Sequence, residues 1–162
     1  MDDKLYWVAF NLVRGIGAVR LQALIEHFGD AASAWQGRPE ELRAAGLSAK
    51  VVERLVELRG NLDVQGLWDR IAAQGIQVVT WMDDGYPRRL KEIDQPPPVL
   101  YARGELLAED DFAVAIVGTR RVTPYGRQVA DELAGFLAGR GITIVSGLAR
   151  GVDACAHTAD VR

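Results

Sequence analysis

Residues 112–157 twice place an apolar run ahead of a glycine-bearing loop and a helical segment. Phe112-Ala113-Val114-Ala115-Ile116-Val117 is apolar without a break, as in a parallel strand covered on both faces. Gly118-Thr119-Arg120-Arg121-Val122 follows as a loop, and Thr123-Pro124 opens a helix. Threonine suits the N-cap, and proline suits the first helical position. The pattern predicts a helix to about Arg140, with Gly141 as its stop. Ile142 to Val145 is a second buried strand, and Ser146-Gly147-Leu148-Ala149-Arg150-Gly151 a second loop. A helix then passes through Asp153 and His157. Strand, loop and helix repeated in this order is the unit of a Rossmann-like parallel sheet, so the fold class is α/β.

The first part of the chain is different. Leu5, Val8, Ala9 and Leu12 fall on one helical face, and Leu21, Leu24, Ile25 and Phe28 on another. Pro39 opens a short helix that ends at Gly46. Ser48 is placed to cap the next, which carries Val51, Val52, Leu55, Val56 and Leu58. The expectation is a small all-helical domain over residues 1–64, followed by a sheet-forming domain over 65–162. Gly15-Ile16-Gly17 resembles the turn of a helix-hairpin-helix, where glycines let backbone N–H groups approach a nucleic-acid phosphate. The same glycines would also serve simply to cap helices and allow tight packing. Gly46-Leu47-Ser48 is a weaker second copy. Between the two parts, Ile76 to Trp81 and residues 99–103 read as strands, separated by a short helix at Tyr86-Pro87-Arg88-Arg89-Leu90 and the rigid Pro96-Pro97-Pro98. Both strands are candidates to widen the later sheet on one side.

Charge narrows the function. The chain has 162 residues and a formal net charge of -3, so it is not a wholly basic coat protein. Residues 1–111 hold 13 basic and 18 acidic groups, whereas 112–162 hold 6 and 4. Arg120, Arg121 and Arg127 lie within 118–127 with no acid among them. Arginine outnumbers lysine 16 to 3, which suits phosphate recognition but equally follows from a base-composition bias. No apolar run approaches the roughly 18 residues of a membrane span. The start of the chain lacks the pattern of a signal peptide. One cysteine, Cys155, precludes an intrachain disulfide and reads as a small buried thiol in a cytoplasmic protein. No metal site or cofactor is expected.

Both loops of the repeat follow the carboxyl end of a strand, where open α/β sheets bind ligands. Gly118 would let the backbone approach an anion, Thr119 offers a hydroxyl, and Arg120 offers a planar fork of donors. Ser146 and Gly147 repeat the device. The expected phosphate site comprises Gly118, Thr119, Arg120, Arg121, Thr123, Ser146, Gly147 and Arg150. The dinucleotide and Walker fingerprints are absent from both loops. Ser146, Asp153 and His157 invite a hydrolase reading. However, Ile144-Val145-Ser146-Gly147-Leu148 lacks the leading glycine of a nucleophile elbow. Asp153 and His157, four apart on one helix, are expected to face each other as a helix-stabilising pair, with nothing obliging them to reach Ser146.

Four runs in order carry a family resemblance. They are Tyr86-Pro87-Arg88-Arg89-Leu90, then Pro97 to Gly104, then Ala115 to Gly126, then Ile144 to His157. Together they closely resemble the DNA processing protein A family, DprA (also called Smf), and residues 1–64 are similar to its sterile-alpha-motif-like domain. The resemblance implies a non-catalytic protein that binds and protects incoming single-stranded DNA in natural transformation. It implies loading of the RecA recombinase, work alongside single-strand-binding protein, and a homodimer when complete. The family's glycine–serine/threonine–arginine motif falls on Gly118-Thr119-Arg120, and its serine–glycine loop on Ser146-Gly147, with Arg150 near by. Family members continue the sheet well beyond the residue matching His157. The parallel sheet is therefore expected to be truncated here, with an exposed edge prone to self-association and weakened DNA, RecA and dimer contacts. The alternative is a nucleotide-binding enzyme on the same scaffold, such as a phosphoribohydrolase, whose usual P-G-G-x-G-T loop is absent from 112–162. A third reading takes residues 4–60 alone as a protein-interaction module.

Overall fold

The computed structural model describes residues 3–160, and the chain divides into two packing units between Glu105 and Leu106. The first unit opens with helices α1 (Lys4–Asn11), α2 (Ala18–Phe28), α3 (Ala31–Gln36), α4 (Pro39–Ala44), α5 (Ala49–Asn61) and α6 (Val64–Ala73). Strand β1 (Gln77–Thr80), the single turn α7 (Arg88–Lys91) and strand β2 (Val99–Ala102) follow. The apolar faces read from the sequence converge on one core. Trp7, Phe10, Leu21, Leu24, Leu42 and Leu55 are fully buried in it. Burying each such side chain contributes about 1.5–3 kcal/mol. Phe10 and Trp35 meet edge to face, with ring centroids 5.2 Å apart.

Local chemistry fixes where the helices begin. Asp30 caps α3 by accepting from the Ser33 N–H at 2.6 Å, and Asp63 caps α6 by accepting from Gly66 at 2.9 Å. Ser48 stands at the N-cap of α5 as expected, but its side chain makes no capping bond. Asp3 ties α1 to α3: its carboxylate accepts from Trp7 Nε1 and from the Ala32 N–H, each at 2.9 Å.

Strands β1 and β2 correct one expectation. They pair antiparallel with each other, Gln77 opposite Ala102 and Thr80 opposite Val99, and they do not widen the parallel sheet. Val78 and Val99 enter the helical core, while Leu67, Trp68 and Ile71 of α6 pack against it. The Tyr86 hydroxyl donates to the Pro97 carbonyl at 2.7 Å and staples the long connection between the strands. These contacts put residues 65–105 with the helices, so the packing division falls later than residue 64.

The second unit contains a 3-10 turn (Ala108–Asp111), β3 (Ala113–Ala115), α8 (Pro124–Ala138), β4 (Thr143–Val145) and α9 (Val152–Asp160). β3 and β4 pair in parallel, Ala113 with Thr143 and Ala115 with Val145. Thr123 caps α8 as its sequence predicts, accepting from the Gly126 N–H at 3.1 Å with Pro124 at the first position. The buried core here is small: Ile116, Ala134, Ile144 and Ala156. The continuous apolar run predicted cover on both faces, and the described residues supply one. Ile116 and Ile144 point inward, whereas Val117 and Val145, on the alternate face, are 65% and 47% exposed.

Candidate nucleic-acid interface

The loops after β3 and β4 lie against each other, and glycine is what permits it. Gly151 has φ +96°, and a Cβ there would overlap the Thr119 carbonyl oxygen and stand 2.7 Å from the Arg120 Cα. At Gly118 a Cβ would stand 2.8 Å from Val152 Cγ2. The Val152 N–H donates to the Thr119 carbonyl at 3.2 Å and seals the contact. Gly118 therefore lets the first loop pack closely on the start of α9.

Asp153 then organises both loops. Its carboxylate accepts from the N–H groups of Gly118 at 3.2 Å, Gly147 at 3.0 Å and Ala149 at 3.4 Å. The side chain is buried, with the residue 3% exposed. Burial alone would raise its pKa, but the amides of Ala149, Gly118 and Gly147 together outweigh burial and hold it below its ordinary value of 3.8. These amides are thus committed to a carboxylate of the same chain.

His157 does not pair with Asp153 as its spacing suggested. Its Nε2 lies 2.8 Å from Ser146 Oγ, and that oxygen also accepts from the Leu148 N–H at 2.9 Å. Leu148 takes the left-handed conformation at φ +50° and is 79% exposed. The three hydrolase-like residues are thus gathered, but not as a triad. Asp153 faces the loop amides, and the N–H groups of Gly118 and Gly147, which could otherwise cradle an oxyanion, are occupied.

Side chains are left to recognise an anion. Arg120, Arg121 and Arg150 are exposed, and among the described residues none of them pairs with a carboxylate. Thr119 Oγ1 accepts from the Arg121 N–H at 3.1 Å and keeps its own proton to donate outward. Thr123 is half used, its oxygen capping α8. Gly118, Thr119, Arg120, Ser146, Gly147 and Arg150 belong to the two joined loops, while Arg121 and Thr123 carry the first loop into α8. Arg127 turns away: its Nη1 lies 3.4 Å from the sulfur of Cys155, which is buried as expected. Asp153 and His157 were not among the expected site residues. Their four-residue spacing on a helix that directly follows the second loop was the available signal. Among the described residues no cluster of His, Cys, Asp or Glu is placed to hold a metal, and no helix is long and apolar enough to cross a membrane.

Comparison with known proteins covers both units. The family model for DNA recombination-mediator protein A matches residues 77–162. Protein Smf of Synechocystis sp. is 38% identical over 166 residues, covering 99% of this chain and 42% of the relative. The DNA processing protein DprA of Bacillus subtilis is 41% identical over 90 residues, covering 55% of this chain and 30% of the relative. The X-ray structure of DNA processing protein A from Streptococcus pneumoniae matches with a TM-score of 0.71 at 25% identity, over 99% of this chain and 54% of that one. The chain thus spans less than half the length of these curated relatives.

Proposed function

Because the chain belongs to the DNA recombination-mediator protein A family, we propose that its second unit contributes to a single-stranded-DNA-binding recombination mediator. The observation that carries this reading is the pair of joined loops with exposed Arg120, Arg121 and Arg150, none of which pairs with a carboxylate among the described residues. Guanidinium forks suit phosphate oxygens, and among the described residues Ser146 meets His157 while Asp153 is taken by the loop amides. Gly118, Gly147 and Ser146 shape the loops. Thr119, Arg120, Arg121 and Arg150 face the backbone phosphates, with Thr123 fixing the start of α8. In the cell the complete protein would protect incoming DNA in the cytoplasm, load RecA during transformation, act alongside single-strand-binding protein, and dimerise. It needs no cofactor and catalyses no reaction. The sequence division at residue 64 remains the functional one in this proposal. The start of the family match at residue 77 supports grouping the β1–β2 region with the DNA-binding part, even though its packing is with the helices.

Titration with labelled oligo-dT, then with nucleoside monophosphates, tests the proposal. The expected result is salt-sensitive oligonucleotide binding with little base preference. Mononucleotide binding with turnover would instead select a phosphoribohydrolase-like enzyme.

A further inference from the structure

The turn between α1 and α2 gathers three arginines. Arg20 Nη1 donates to the Gly15 carbonyl, and Arg54 Nη1, reaching over from α5, donates to the Arg14 carbonyl at 3.1 Å. Both guanidinium groups come within 3.8 Å of where a Gly15 Cβ would stand. Arg14 itself is exposed in the turn. Among the described residues none of the three is within ion-pair distance of a carboxylate. The groove beside the turn is lined by the polar Arg14, Arg54, Glu57 and Asn61 and by the apolar Leu12, Val13 and Leu58, and Glu57 pairs with neither arginine. Residues 1–111 carry 18 acidic groups against 13 basic, so this cluster is no by-product of a generally basic surface.

Packing explains only one of the two glycines here. Gly15 has φ +108°, and a Cβ would press on Val51 Cγ2 at 3.0 Å. At Gly17 a Cβ would meet nothing within 4 Å, and the backbone is extended at φ -114°. Glycine at 17 leaves open space beside the turn.

We infer that the turn at residues 14–17, with Arg14, Arg20 and Arg54, is a second nucleic-acid contact, for the phosphodiester backbone of a duplex. Arginine forks match phosphate oxygens, and the open turn admits them closely. The exposed apolar side chains that flank it in sequence are Leu12 and Val19, both aliphatic, while Tyr101, 44% exposed, reaches the end of α1 only through its hydroxyl, which accepts from Asn11 Nδ2 at 3.4 Å. Single-strand sites normally add aromatic platforms for stacking bases, and this turn has none. A duplex keeps its bases stacked inside and presents phosphates outward.

The test uses the full chain, with a labelled duplex of random sequence and oligo-dT of equal length. The triple variant Arg14→Gln, Arg20→Gln, Arg54→Gln is expected to weaken duplex binding about tenfold or more. It should lower the slope of log affinity against log salt by about 2–3, with oligo-dT affinity changed less than about twofold. Arg120→Ala is expected to do the reverse, so this site and the loop site fail separately. Arg43→Gln, in the same unit, controls for net charge. An unchanged duplex affinity and salt slope would overturn the inference, as would equal losses at Arg43 or for both ligands, or absence of duplex binding by the parent chain. If circular dichroism shows the triple variant misfolded, Arg14→Gln alone decides, because its guanidinium makes no internal hydrogen bond among the described residues. It should lower the salt slope by about 1, and no change in slope would sink the inference.

Discussion

The unit ending at Glu105 and the unit beginning at Leu106 are held together by different means. The first buries large side chains, Trp7, Phe10, Leu21, Leu24 and Leu55 among them, around one centre. The second buries Ile116, Ala134, Ile144 and Ala156, and leaves Phe112, Val117, Tyr125 and Phe136 more than half exposed. The contact that joins its two loops is polar: one carboxylate gathering three backbone amides from both. Apolar burial is non-directional and fixes a shape through many small contributions. A hydrogen-bonded carboxylate fixes a geometry, and a single substitution can remove it.

The largest expected effect is in the first unit. Phe10→Ala leaves a cavity among Trp35 and its neighbours and should cost about 3–5 kcal/mol. Chemical denaturation followed by tryptophan fluorescence would measure it. A loss below about 1 kcal/mol would mean that the core collapses around the gap and is less specific than its packing indicates. Next, Arg120→Ala should weaken oligo-dT binding about ten- to a hundredfold, the range for a hydrogen bond to a charged group. Arg140→Ala, at the far end of α8, should change it little. Equal losses at the two positions would replace a defined site by diffuse electrostatics.

Asp153→Ala should release both loops while sparing the helical unit. The amides of Gly118, Gly147 and Ala149 should exchange with deuterium faster, while those of α1 and α5 keep their protection. Asp153→Asn, which keeps one oxygen acceptor and turns the other into an NH2 donor, should be intermediate. Uniform acceleration across both units would show that the carboxylate supports global stability and not loop geometry. The smallest effect is in acid. The Asp153 carboxyl is held below its ordinary value of 3.8 when folded, so its stabilising contribution is complete above that pH. It fades as pH falls through the lower folded value. Acid titration monitored at the loop amides should show the parent chain losing protection there before the helical unit does, and Asp153→Asn losing that pH step. A pH step that persists in Asp153→Asn would assign it to another group.

Much of this was legible in the chain itself, and the reason is local. The Thr123-Pro124 helix start, the glycine stops and the 3.6-residue stripes of the first helices depend on neighbours in sequence, so their chemistry can be read in order. The loop arginines were legible for the same reason, since charge density within ten residues needs no fold to be seen. The parallel pair β3–β4 was legible from its strand–loop–helix repeat, but the partners of β1 and β2 were not. β1 and β2 are short apolar runs that could join either sheet, and only the staple from Tyr86 to Pro97 and the burial of Val78 and Val99 chose the hairpin. The partners of Asp153 and His157 were equally hidden. Spacing on a helix fixes which residues share a face, but not what that face meets. Tertiary structure brought the two loops to α9, gave the carboxylate to the Gly118, Gly147 and Ala149 amides, and gave the imidazole to Ser146. Hydrogen bonds between a helix and the loops it meets are decided by which elements approach, and that approach is set by burial summed over the whole unit rather than by any short stretch of sequence.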